Sequence, residues 1–253
     1  MADVDDFNTD LLEQIAHRPW PVPSGPWFMT QTWSELLFAH WPVDAAVLRP
    51  MVPDALELDL FDGQAWIAVV PFQMSNVAPR FTPVLPGVSA FPELNIRTYV
   101  RAHDKPGVFF FSLDADSAVA VGGARTLFNL PYFRADMSVS TSGGDVQYRS
   151  RRLAKPHPEF VATYRGHGDT HLAVPGTLEH FLTERYCLYG LNHRSIPYRL
   201  EIHHLPWPLQ SASAEIASNT MTDAAGLRLR DVPPLLHFAK RLDVLAWPAH
   251  TLT

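Results

Sequence analysis

The sequence predicts a mainly β protein built on an antiparallel sheet or barrel, and three observations carry that expectation. Strand-like runs such as "DVQYRSRRL" and "SAEIASNTM" are separated by turns. Most connections are short and rich in Gly, Pro and Asp, the residues that turns demand. Helical stretches are few and do not alternate with strands as βαβ units would. The 253 residues are 47% hydrophobic, enough to bury a sizeable core, and no long linker divides them. A single domain over residues 1–253 is expected, with residues 1–27 as an N-terminal helix and Pro-rich arm.

Taken in order, Leu11, Leu12 and Ile15 give the opening a short amphipathic helix, which turns at His17 into an extended arm. The stretch from Thr32 to Met74 reads as a strand, a short helix around Asp44 to Arg49, and a hairpin turning at Asp62-Gly63. "LNIRTYVRAH" and "GVFFFSLDAD" flank "DKPG" and are expected to pair antiparallel. "DSAVAVGGARTLF" reads as a helix capped by Asp116 or Ser117, in which Gly122-Gly123 costs helix stability and permits close packing. A short helix is expected at "TLEHFLTERYCLY", and "HFAKRLDVLAWP" ends the chain as a strand. The 23 prolines imply many edges and irregular loops.

Composition excludes several function classes. Charged residues make up only 18%, the formal net charge is −6, and the arginines are dispersed, so no nucleic-acid partner is expected. Nothing near Met1 resembles a targeting segment, and no apolar run reaches the ~18–20 residues of a membrane span. A cytoplasmic protein without a membrane partner is the expectation. The single Cys187 rules out an intramolecular disulfide and reads as a buried small hydrophobe.

Chemistry-bearing residues gather in a few places. On a strand, "ELNIR" puts Glu93, Asn95 and Arg97 on one face and Leu94 and Ile96 on the other. Such a face is either an ordinary solvated surface or, lining a cavity, a site that orients a small carboxylate or carbonyl ligand. "HGDTH" would align His167, Asp169 and His171, but its Gly and Asp content reads as a loop; with His203 and His204 these are expected to be surface or hydrogen-bonded histidines, and no metal is expected. There is no GxSxG elbow, HExxH or phosphate loop, and no cofactor is expected.

Together "AAVLRPMVPDALELD" and "FSLDADSAVAVGGARTLFNLPYFRADM" resemble the acetoacetate decarboxylase-like superfamily. "LLFAHWPV", "FDGQAWIAVVPFQM", "ELNIRTYV", "FLTERYCLYG", "IHHLPWPLQ" and "PPLLHFAKRLDV" are similar, more closely, to its YqjF-like or DUF2071 branch. The resemblance covers most of the chain from about Trp33 to Trp247. It implies a cone-shaped, mainly antiparallel β-barrel enclosing a cavity, with a few flanking helices. It also implies homo-oligomers, for which the seven tryptophans and the apolar "LDVLAWP" offer surface. In the decarboxylases a Lys pair follows a Gly-aromatic-Pro motif: the first forms an imine, and the second lowers its pKa by like-charge repulsion. Here those positions read Tyr132 and Phe133. Glu93 matches one family acid and Arg125 the helix arginine; a second acid has no counterpart in "AWIAVVPF", and the substrate-binding arginine falls near Ser34.

A phenol cannot form an imine, but it can donate a hydrogen bond or a proton. Glu93 and Tyr132 are therefore the catalytic candidates, with Glu93 as base, and Asn95, Arg97 and Arg125 the ligand-binding ones. The function expected is binding of, or proton transfer on, a small oxo or hydroxy carboxylic acid, in the manner of a lyase, isomerase or hydratase. A non-catalytic binding protein is the alternative, and a barrel filled by Phe109 to Phe111 a third. Of three lysines, Lys105 and Lys155 read as solvated, whereas Lys240 shares a parity with Phe238, Leu242 and Val244 and either enters the barrel, or snorkels to solvent or pairs with Asp243 or a Glu.

Overall fold

The computed structural model describes residues 10–85 and 87–252. Part of the expected N-terminal helix and arm, residues 1–9, lies outside the described residues; residues 10–13 are helical. In chain order the elements are β1 (Met29–Val43), α1 (Ala45–Leu48), β2 (Glu57–Leu58), β3 (Ala65–Pro79), β4 (Phe91–Ala102), β5 (Lys105–Ala115), α2 (Ala118–Phe128), β6 (Tyr132–Ser142), β7 (Asp145–Arg152), β8 (Glu159–His171), α3 (Leu178–Thr183), β9 (Cys187–Leu191), β10 (Pro197–His203), β11 (Leu209–Asn219), α4 (Met221–Ala224), β12 (Leu235–Ala246) and β13 (His250–Thr251).

Caps and turns fall where local chemistry puts them. Asp44 accepts from the Ala46 N–H and starts α1, and Ser117 accepts from the Ala120 N–H and starts α2, which stops at a left-handed Asn129. Asp62 and Gly63 both take positive φ and bring Phe61 opposite Gln64, but β2 then pairs with β4 rather than with β3. The β4–β5 turn uses His103 and Asp104, both at positive φ, as a two-residue hairpin loop does. Pro106 and Gly107 of the expected turn therefore sit inside β5. Gly107 has a packing reason, because a Cβ there would meet the Cys187 carbonyl oxygen at 2.7 Å.

Among the described residues all thirteen strands form one sheet, and its pairings close on themselves. One circuit runs β5-β6-β7-β8-β11-β12-β1-β3-β4 and returns to β5; a second leaves β5 through β9 and β10 and rejoins at β12. Two contacts of β5, with β6 and with β9, are parallel, a departure from the antiparallel expectation. The circuits share β12, β1, β3, β4 and β5 as a wall, so β3 is buried on both faces: Ile67 and Val69 enter one core, Val70 and Phe72 the other. That two-sided burial is why "AWIAVVPF" is nearly continuously apolar.

The alternation of β1 breaks once. Trp33 packs with the same core as Leu36 and Phe38, and Leu37 with the opposite one, so the strand changes phase between 33 and 36, where Glu35 has φ +50°. On β12 the break is mirrored: Ala239 and Leu242 share a core although they are three positions apart. Ser34 faces Arg241 and Leu36 faces Ala239, which sets Glu35 opposite Lys240.

Several expectations are corrected here. Gly122 and Gly123 face open space and make no close contact. "RGHGDTH" continues β8 as an exposed strand end because it pairs with β11. "TLEHFLTERYCLY" is helical only to Thr183, after which Cys187 begins β9. Phe109 and Phe111, with Met51 and Tyr189, line a surface groove of about 300 Å³ and do not fill a barrel.

Candidate functional site

Strand β4 lies in the shared wall, so both of its faces are covered. Leu94 and Ile96 enter the core that β6, β7 and β8 enclose. Glu93, Asn95 and Arg97 point the other way and are buried too, at 3%, 5% and 8% exposure. The acid, amide and guanidinium row is thus an interior surface. Burying such groups without partners costs several kcal/mol each, about 2–7 for a neutral polar group, so their partners are informative.

Glu93 is met by Tyr132. The parallel pairing of Leu113 with Tyr132 and the bond from the Leu113 N–H to the Pro131 carbonyl bring the start of β6 beside β5, whose Ala115 is the register partner of Glu93. The Tyr132 hydroxyl donates to Glu93 Oε2 at 2.8 Å. Burial pushes the Glu93 carboxyl up to about 8, against the hydrogen bond from Tyr132, which lowers it, while the charge of Asp114 adds to the rise. Burial and the same carboxylate push the Tyr132 phenol well above its ordinary range. At neutral pH the pair therefore holds both protons.

Arg97 stands at the other end of the row. Its Nη2 donates to the Leu182 carbonyl at 3.5 Å, and its guanidinium lies 5.3 Å from the Phe38 ring and 5.8 Å from that of Tyr99. Its Nε, the Asn95 Oδ1 and the indole N–H of Trp207 have no hydrogen-bond partner among the described residues. The Trp207 ring is 4.9 Å from Phe38, the ring beside which the Arg97 guanidinium lies, and Asn95 is on the same face of β4 as Arg97.

Arg125 is placed differently. It is exposed on α2 and donates through Nε to the Tyr132 carbonyl at 2.6 Å, so it braces the backbone of the Tyr132 segment from outside the row. Each lysine lies away from the row. Lys105 pairs with Glu201 at 2.9 Å, and Lys155 and Lys240 are exposed. The parity that could have carried Lys240 inward is cancelled by the phase change at its position. Cys187 is free and buried, and burial pushes its thiol up to about 12.

Sequence reasoning missed the groups around Arg97. His40 of β1 and Tyr99 of β4 meet at 2.7 Å, and the Tyr99 hydroxyl donates to the Leu182 carbonyl at 2.9 Å. His237 of β12 lies beside His40, ring centroids 6.3 Å apart. A histidine inside each of two apolar strand runs, "LLFAH" and "LLHFA", was the available signal. Among the described residues no group of three or more His, Cys, Asp or Glu is placed to hold a metal ion, and no helix is long and apolar enough to cross a membrane. His203 and His204 are buried, with bonds to the Leu11 and Leu205 carbonyls.

Comparison with known proteins gives the same fold. The family model DUF2071, described as an uncharacterized conserved protein, matches residues 30–243. The chain is 50% identical over 238 residues to "Uncharacterized protein YqjF" of Bacillus subtilis, covering 94% of this chain and 98% of that one. Among solved structures it resembles the enduracididine biosynthesis enzyme MppR complexed with pyruvate, with TM-score 0.61 at 13% identity over 93% of each chain. It also resembles acetoacetate decarboxylase from Legionella pneumophila, with TM-score 0.59 at 13% identity over 97% of this chain and 95% of that one.

Proposed function

Since the chain belongs to the DUF2071 family and has the acetoacetate decarboxylase-like fold, we propose that it binds a small oxo or hydroxy carboxylic acid against the buried face of β4 and moves a proton on it without a lysine imine. The observation that carries this reading is the row itself: a protonated Glu93 held by Tyr132 at one end, unspent hydrogen-bonding capacity on Asn95 and Arg97 along it, and no amine. Arg97 takes the ligand carboxylate, a charge-assisted contact, and Asn95 with Trp207 orients the rest of it. Glu93 gives its proton to the ligand oxygen. The carboxylate that results is held by the phenol O–H already aimed at Oε2, and it takes a proton back from carbon or water in the second half of the reaction. MppR, whose structure holds pyruvate, supports pyruvate as the first probe.

The test is pyruvate added to wild type and variants, with thermal stability, intact mass after borohydride, and deuterium uptake at the pyruvate methyl group as readouts. Expected are a higher Tm, an unmodified mass and methyl exchange that Glu93→Gln abolishes; saturation at about 100 times Kd corresponds to about 2.7 kcal/mol of stabilisation. Arg97→Ala loses the Tm gain and Arg125→Ala keeps most of it. Binding without exchange identifies a non-catalytic binding protein using the same face. A borohydride adduct refutes the imine-free reading.

A further inference from the structure

Glu93, Asn95 and Arg97 are each exposed by 8% or less, so nothing reaches them from solvent unless part of the fold moves. The wall strands yield at high cost, since β1, β3 and β4 bury residues on both faces. Helix α2 is held far more lightly. It packs on β5 and β6 and buries a single side chain, Val121. Val121 belongs to the apolar cluster of Phe91 and Ala115, against which Tyr132 also packs. Ala115 is the register partner of Glu93, and Phe91 precedes Glu93 by two positions on the same face of β4. Val121 therefore covers the Glu93 end of the row.

The two halves of α2 differ in what holds them. Residues 125–129 are tied at four points. Arg125 Nε donates to the Tyr132 carbonyl at 2.6 Å, and His193 Nε2 lies 3.1 Å from the Thr126 carbonyl oxygen. The Tyr198 hydroxyl donates to the Phe128 carbonyl at 2.6 Å, and Asn129 Nδ2 donates to the Leu191 carbonyl at 2.9 Å. Residues 118–121 read Ala-Val-Ala-Val and have no polar side chain with which to tie, and Val119 is 66% exposed. Between the halves stand Gly122 and Gly123, which weaken the helix although no packing requires them: a Cβ at either meets nothing within 4 Å. Beside the untied half, Asp116 to Val119 border a surface hollow of about 280 Å³ that Val88 and Phe91 line from the other side. Phe91 thus joins that hollow to the row.

We propose that the first half of α2 is a door to the buried row: residues 118–121 pivot about Gly122-Gly123 while residues 125–129 stay tied. The pivot lifts Val121 off its cluster and extends the hollow past Phe91 to Glu93 and Tyr132. As the way in for a ligand, the door rests on the reading of that face as a ligand site. Water takes up the backbone groups released at the pivot, since Ala118, Val119 and Gly122 are exposed. Arg125 keeps its bond to the Tyr132 carbonyl, so the phenol stays on Glu93 while the door is open. An entering acid meets Glu93 first and Arg97, four residues further along β4, last.

Val121→Cys in the full chain puts a thiol under the door. Its modification by a small methanethiosulfonate, followed peptide by peptide by mass spectrometry, reports opening, with the buried Cys187 as reference in the same molecule. Gly122→Ala and Gly123→Ala together are expected to slow that modification about twentyfold, about four- to fivefold for each alanine, and to leave Cys187 unchanged. Tyr198→Phe, which unties only the second half, is expected to leave the rate at position 121 as it was. A rate that ignores the two alanines overturns the door, and one that Tyr198→Phe raises overturns the pivot at the glycines. Stopped-flow tryptophan fluorescence with pyruvate tests the route. The alanine pair is expected to slow association and dissociation by the same factor as the thiol modification and to leave Kd unchanged; unaltered rates overturn the inference. Absence of pyruvate binding in wild type sinks the functional reading instead, and the thiol rates then decide the door alone.

Discussion

Glu93 is a carboxyl that the fold keeps neutral, and this has a measurable sign. Its pKa in the folded chain, about 8, lies above the 4.5 of the unfolded chain. The folded state therefore binds the proton more tightly, and the associated stability is complete below about pH 4.5 and is lost as pH rises through 8. Glu93→Gln replaces the acid by a permanently neutral amide and is expected to flatten this loss. Urea denaturation at pH 5 and pH 8.5 should show the variant gaining on wild type by on the order of 3–5 kcal/mol; parallel curves would disprove it. Tyr132→Phe removes a bond that favours the ionised form, so the Glu93 titration, followed by carboxyl infrared absorption, is expected to move higher still.

Elements explain what could be read in advance and what could not. Period-two alternation placed Glu93, Asn95 and Arg97 on one face, because that parity is a local property of an extended chain. Whether the face met water or another layer depended on which strands cover it, and that is set by pairings such as β5 with β9, which lie some 80 residues apart in sequence. The same non-locality hid His40, Tyr99 and His237, which become neighbours only when β1, β4 and β12 lie in one wall. Lys240 shows the opposite failure, a parity argument defeated by an irregularity that no residue type announces. Two element-scale predictions follow from contacts between distant strands. Arg152 of β7 grips Asp114 of β5 with two bonds of 2.7 Å in the interior, so Arg152→Ala strands a buried carboxylate and should cost about 3–5 kcal/mol in urea denaturation. Gly107→Ala drives a methyl group into the β9 backbone and should cost about 1–3 kcal/mol in the same assay.

At the scale of the molecule, the two circuits sharing one wall imply graded stability. Strands β1, β3 and β4 are covered on both faces, whereas alternate residues of β7 and β11 are open to water. Native-state hydrogen exchange should find the slowest amides in the wall and faster ones in β7 and β11. Closure also fixes how the chain tolerates lost residues, since a slip in one strand must be absorbed by every neighbour around the ring. Glu35 and Lys240 occupy facing positions at which both strands carry one residue too many for regular alternation, and β1 also carries one extra against β3 there. Removing Glu35 alone throws β1 and β12 out of step; removing Lys240 alone does the same from the other side. Removing both leaves Trp33 opposite Leu242 and Leu36 opposite Ala239, with every apolar side chain still in its own core. The two codons should therefore behave as a compensating pair, each single deletion failing to give folded protein and the double deletion restoring it, a reversal that a deletion library scored for soluble expression would detect.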